Sequence, residues 1–126
     1  MISLISTTQK LQAVLAGNVT ANQLQIDVVF SDENMSGVDT KYATKQTVTN
    51  QTTDVDICAA PQQNFIRNIE SISIYNADTA TATITVKIDD GGAETIKIKI
   101  ALATLETAVY EDSTGWTCYT TAGARK

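Results

Sequence analysis

Three stretches of this chain place an apolar side chain at every second position. Leu24, Ile26, Val28 and Phe30 alternate with Gln25, Asp27 and Val29. Ala82, Ile84, Val86 and Ile88 alternate with Thr83, Thr85 and Lys87, and Ile96, Ile98, Ile100 and Leu102 are set apart from Lys97 and Lys99. A period of two puts all the apolar groups on one face only if the backbone is extended, so these stretches predict half-buried strands. Between the last two lies Asp89-Asp90-Gly91-Gly92, whose glycines accept positive φ and mark a hairpin. Val55 and Ile57 begin a short strand that ends at Ala60-Pro61. Ile72 and Ile74 lead to Tyr75 and the turn residues Asn76-Ala77-Asp78-Thr79. Val109-Tyr110, Asp112-Ser113-Thr114-Gly115 and Trp116-Thr117-Cys118-Tyr119 read as a final hairpin. Short strands at regular spacing without intervening helices predict a mainly β fold, an antiparallel β-sandwich of the Ig-like or jelly-roll-like kind. Its main strands are expected over residues 54–120 of a single 1–126 domain.

Two segments read differently. Thr7 or Thr8 can cap a helix, Leu11, Val14 and Leu15 fall at helical spacing, and Gly17 offers a left-handed stop, so residues 1–20 predict a short N-terminal helix serving as an anchor. Residues 31–53 are polar: Ser31–Gly37 has loop composition, and Thr40–Thr53 is rich in Thr, Gln and Asn. The β-branched content favours extended backbone but supplies little to fill a core, which leaves an edge strand, an arm or a loop open for this stretch.

Composition narrows the chemistry. The chain has 126 residues, 43% of them apolar and 18% charged, with one Pro, which suits one packed domain and excludes a collagen-like or disordered chain. A net charge of −5 with scattered cations offers no cationic stripe for nucleic acid. No apolar run is long enough to span a bilayer as a helix, and Met1–Ile5 lacks the basic flank of a signal peptide, so synthesis in a cytoplasm is expected. There is no histidine, which removes the commonest general base, the commonest metal ligand and every Ser-His or Cys-His pair. Cys58 and Cys118 are two buried thiols, a disulfide or a reactive thiol, and too few for a structural zinc site.

Each remaining candidate has a plain structural counterpart. Asp89 and Asp90 beside a Gly-Gly turn are weak calcium candidates, set against a solvated hairpin tip without EF-hand spacing. Asp54 and Asp56 share a strand face as a carboxylate pair would, or simply face water. Trp116, Tyr110 and Tyr119 form a glycan-stacking platform or pack in the final hairpin. Asn18-Val19-Thr20 and Asn50-Gln51-Thr52 match the N-glycosylation pattern, which a Thr-rich chain produces by chance. No catalytic constellation and no cofactor are expected.

The stretch Phe65–Ala80, with Arg67, Ile69, Ile72, Ile74, Tyr75, Asn76, Asp78 and Thr79, followed by Thr83–Gly92, resembles a group of small tailed-phage virion proteins. Leu102, Glu106, Tyr110, Asp112, Gly115 and Trp116 fit the ending of that pattern, and Thr7–Leu24 is similar to its N-terminus. The resemblance covers most of the chain apart from roughly 31–50. It implies a virion component without fixing its place on the particle. The reading preferred, with the missing histidine against an enzyme, is a structural, non-enzymatic protein made in a host bacterial cytoplasm, foremost a capsid decoration (cement) protein contacting the major capsid protein or other virion proteins. A tail, neck or fibre-base component is the rival within that class, and a carbohydrate-binding adsorption module the rival outside it. Particle symmetry favours a homo-oligomer and admits a trimer. Ile2, Leu4, Ile5, Leu11 and Leu15 are then the candidate protein–protein interface residues, with no nucleic acid or membrane partner expected.

Overall fold

The computed structural model describes residues 1–37 and 40–126. Among the described residues every regular element is a strand: β1 (Ile2–Leu4), β2 (Gln9–Leu15), β3 (Gln25–Asn34), β4 (Thr40–Val48), β5 (Val55–Cys58), β6 (Phe65–Tyr75), β7 (Ala82–Asp90), β8 (Ala93–Leu102), β9 (Thr107–Glu111) and β10 (Gly115–Tyr119). They form two antiparallel sheets. The larger has the order β10-β9-β6-β3-β4, and the smaller the order β5-β2-β7-β8. Strand β6 is long enough to serve two neighbours on one side, β1 along Arg67–Ile69 and β9 along Ser71–Tyr75, while β3 pairs with its other side.

The alternating residues face one shared core. Ile26 and Val28 of β3, Ile69, Ile72 and Ile74 of β6, and Ala108 and Tyr110 of β9 are buried in it. So are Leu11, Ala13 and Leu15 of β2, Ile57 of β5, Ile84 and Val86 of β7, and Leu102 of β8. Three register shifts adjust the alternation, one of them leaving Ile57 of β5 as the extra residue opposite Leu11 and Gln12. Ile69 and Ile72 of β6 both point inward although they are three apart, because the β3–β6 register shifts between Val29 and Phe30 and leaves Glu70 as the extra residue. On β8 the register shifts at Lys97, so Ile98 pairs with the inward Val86 while Ile96 pairs with the outward Lys87. Ile96 is therefore 62% exposed, in contrast to the expected run of four inward residues.

The expected N-terminal helix is not formed. Residues 1–20 contain β1, a turn at Ser6–Thr8, and β2, which lies at the centre of the smaller sheet with Leu11 opposite Ile88, Ala13 opposite Val86 and Leu15 opposite Ile84. Leu11, Ala13 and Leu15 also alternate by two, and that pattern wins over the helical spacing of Leu11, Val14 and Leu15. Propensity differences amount to about 0.7 kcal/mol or less per residue, whereas burying each Leu contributes roughly 1.5–3 kcal/mol. Thr8, expected as a helix cap, donates its hydroxyl to Asp90 Oδ1 at 2.6 Å.

Residues 31–53, expected as a polar loop or arm with an edge strand as the third possibility, are largely strand. The segment β3 continues to Asn34 before a turn, and β4 forms the edge of the larger sheet. The part of this expectation that falls on residues 38–39 lies outside the described residues.

One end of the fold is stitched by the Asn76–Thr79 turn. Asn76 is fully buried, and its amide donates to Ala80 O at 3.0 Å and to Leu102 O at 2.8 Å while its Oδ1 accepts from Asp78 N. Asp78 in turn accepts from Thr20 N, Ala21 N and Asn22 N at 2.9, 2.7 and 3.1 Å. These amides, Thr20 foremost, hold its carboxyl pKa at about 2, below the ordinary 3.8. The fold thus prefers the ionised form, so its contribution is complete above about pH 4 and is lost as pH falls toward 2. We expect Asp78→Asn to lower the melting temperature at neutral pH by on the order of 5 °C. The variant should also flatten the decline of melting temperature between about pH 4 and pH 2, measured by a series of thermal melts across that range.

Candidate functional site

The end of the fold opposite this turn gathers apolar side chains that the core leaves uncovered. Ile5 follows β1 directly and is 57% exposed, and Met35, just beyond β3, is also 57% exposed. Phe65, the first residue of β6, is half-buried between them in a depression of about 260 Å³ whose rim is Ser6, Thr7, Gln62, Gln63 and Asn64. The backbone fixes this arrangement: Met35 N donates to Asn64 O at 2.9 Å, Phe65 N to Gln62 O at 3.1 Å, and Ile5 N to Gln9 Oε1 at 2.8 Å. None of the described lining residues is charged.

Of the five interface candidates read from the sequence, only Ile5 is available to a partner. Ile2, Leu4, Leu11 and Leu15 are buried in the chain's own core, because the segment is two strands with inward alternate residues rather than an amphipathic helix. Met35 and Phe65 were missed. Met35 sat in a stretch read as loop, and only the register of β3 against β6 brings it beside Phe65.

The aromatic platform does not assemble. Trp116 and Tyr110 are a cross-strand pair with ring centroids 5.3 Å apart and tilted at 49°, and Tyr110 is buried while Trp116 packs against the core. Tyr119 is three residues beyond Trp116 on the same strand, so it projects from the opposite face of the sheet.

The acidic candidates are engaged within the chain. Asp89 accepts from Gly92 N at 2.9 Å, closing the hairpin, and Asp90 accepts from Thr8 Oγ1 and Gln9 Nε2, tying that hairpin to the turn before β2. Among the described residues there is no group of three or more His, Cys, Asp or Glu able to hold a metal ion. Asp56 accepts from Gln12 Nε2 at 2.8 Å and lies 3.4 Å from Lys10 Nζ. Asp54 and Glu94 flank the buried Lys87 ammonium at 3.0 and 2.7 Å. Burial alone would lower the Lys87 pKa, and the two carboxylates more than reverse it, so the group stays charged on the outer face of the smaller sheet.

Cys58 and Cys118 are free thiols on different sheets, and burial pushes both pKa values up, against the opposing charge of Arg67 at Cys58 and of Lys126 at Cys118. Arg67 is a latch: it donates to both oxygens of Asp32 at 2.7 and 2.8 Å and to Ala59 O at 2.8 Å, and lies over the Phe30 ring at 4.3 Å. Compared with protein-family models, with curated proteins and with solved structures, the chain matches none.

The packing roles of the rings set an expectation for stability. Trp116→Ala should cost about 2–4 kcal/mol in urea unfolding, through lost contacts with Tyr110 and the core. Among the described residues the buried Tyr110 hydroxyl has no hydrogen-bond partner. Tyr110→Phe should therefore match wild-type stability to within about 0.5 kcal/mol or exceed it, since nothing paired is lost.

Proposed function

We propose that this chain is a structural component of a tailed-phage particle, acting as a capsid decoration protein that strengthens the shell through repeated contacts with the major capsid protein. In this reading the two sheets are a sandwich of the Ig-like or jelly-roll-like kind, used as a rigid block, and the chain performs no catalysis. The virion class itself rests on the resemblance carried by residues 65–92 and 102–116. The observation that carries the mode of action is the uncharged end built on Ile5, Met35 and Phe65. An apolar centre inside a polar, uncharged rim is the anatomy of an interface core, from which charged residues are depleted. In a chain with 18% charged residues, eight described lining residues without a charge make a distinct surface. Methionine there suits a shell whose neighbours differ slightly in geometry, because its flexible thioether adapts to irregular gaps.

Each contact can be weak. Many copies bound to one symmetric shell act together, so a small apolar patch per copy suffices to raise the resistance of the whole particle to heat. A place on the tail, neck or fibre base would use the same surface against a different virion protein.

Co-sedimentation with intact particles, separated heads and separated tails tests this. Stoichiometric pelleting with heads is expected, and the double variant Ile5→Ser with Met35→Ser should reduce it by at least about tenfold, the loss of roughly 1.4 kcal/mol per contact. Its melting temperature should stay within about 2 °C of wild type, because both side chains are exposed. Pelleting with tails alone would move the chain to the tail, and no pelleting with either would sink the virion reading.

A further inference from the structure

The sheets of this fold do not leave their edges equally open. The three-residue β1 is too short to template a partner strand. At the end of β10 the C-terminal tail folds back, with Tyr119 bridging Arg125 and Lys126 N donating to Cys118 O at 2.8 Å. Strand β5 is overlain by β4, whose Lys45 Nζ donates to Asp56 O at 3.0 Å. Strand β8 carries a bulge at Lys97 and a second exposed cation at Lys99, the two devices that keep an edge from accepting another strand.

Strand β4 also carries two lysines, exposed Lys41 and half-buried Lys45, but it has no bulge. Its nine residues pair with β3 in unbroken register from Glu33–Thr40 to Gln25–Val48, without a bulge or a proline. Among the described residues its backbone makes no hydrogen bond outside that ladder. Thr, Tyr and Val dominate it, and it holds Tyr42 at 71% and Val48 at 50% exposure. A long, regular and open edge of this kind is a template for main-chain pairing.

We propose that β4 is a self-pairing edge, through which two copies of the chain join antiparallel across a two-fold axis at Thr44 and fuse their larger sheets into one. This register is the one that pairs all nine residues of the strand with no like charges opposite. A two-fold axis normal to the sheet keeps core-facing residues opposite core-facing residues, so the axis must pass through a residue pair rather than between pairs. An axis at Ala43 would set Lys41 against Lys45 twice, and an axis at Lys45 would set that lysine against itself, both like-charge pairs. At Thr44, the centre of the strand, all nine residues pair: Thr44 with itself, Ala43 with Lys45, Tyr42 with Gln46, Lys41 with Thr47 and Thr40 with Val48. Threonine–threonine pairing is favourable, no like charges meet, and the exposed Tyr42 and Val48 each gain a cross-strand neighbour. The pairing stands on the edge geometry alone and is independent of the particle to which the chain belongs.

The register is tested by cysteine placement in a Cys118→Ser background. Thr44→Cys should give a disulfide-linked dimer on mild oxidation, since residues opposite one another lie about 4.5–5.5 Å apart at Cα. Lys41→Cys should not, because the two copies of residue 41 are offset by about 20 Å along the strands. Sedimentation equilibrium of the otherwise unmodified chain should show a dimer that Thr44→Lys weakens by at least about tenfold, with an unchanged far-ultraviolet circular dichroism spectrum. A wild-type chain that stays monomeric, cross-linking at residue 41 as readily as at 44, or a Thr44→Lys variant as dimeric as wild type would each overturn the proposal.

Discussion

The carboxylate of Asp78 and the buried amide of Asn76 hold together the places where the chain changes sheets. The Asn76–Thr79 turn takes the chain from β6 in the larger sheet to β7 in the smaller. Asp78 collects three amides of the β2–β3 connection, which crosses in the opposite sense. The β8–β9 connection crosses there too: Asn76 N donates to Glu106 O, Leu105 N donates to Asn76 O, and the Asn76 side chain reaches Leu102 O. Three crossings thus share one hydrogen-bonded knot. Backbone groups that leave a sheet ladder need other partners when buried, and a two-residue polar core supplies them at a cost smaller than leaving them unpaired. With this end fixed, the two apolar faces are held in the relation that lets Ile72 and Ile74 share a core with Ile84 and Leu102.

The opposite end is organised by charge and by apolar contacts instead. Asp90 links the β7–β8 hairpin to the turn before β2, and Arg67 binds Asp32 and the carbonyl of Ala59, joining β6 and β3 to the segment after β5. The apolar side chains Ile5, Met35 and Phe65 are what this end leaves over once those links are made. Stability and surface chemistry are therefore divided between the two ends. One is closed by a buried polar network, and the other is left with an uncharged patch of the composition found in contacts between proteins. The edges differ as well, since β8 adds a bulge to its lysines while β4, which holds Lys41 and Lys45, runs in unbroken register.

Much of the fold is legible in the residues. The alternation in β3 and β7, that of β8 beyond its outward Ile96, and the turns at 76–79, 89–92 and 112–115 fall where they are read, and Gly91, Gly92 and Gly115 take the positive φ that those turns require. The candidate site is far less legible. Its members Ile5, Met35 and Phe65 are 30 residues apart in sequence, and each alone is an unremarkable apolar residue beside a turn. Nothing in residue type distinguishes Ile5, which is exposed, from Ile2 and Leu4, which are buried, because the difference is only which face of β1 and its continuation turns to the core. The same holds for the aromatic residues: Trp116 and Tyr119 look like neighbours in sequence, yet an odd spacing on a strand sends them to opposite faces.

The sequence by itself determined the antiparallel β class and the positions of the tight turns. Period-two alternation and turn residues are local properties, read within a handful of neighbours. Tertiary structure alone decided that residues 9–15 are a central strand rather than a helix. It also decided that Ile96 turns outward, that four apolar residues near the N-terminus vanish into the core, and that Ile5, Met35 and Phe65 meet. Each of these depends on pairing between distant segments, where the burial available to a strand flanked by β5 and β7 exceeds any local preference, and where a single extra residue such as Lys97 reverses the face of everything before it.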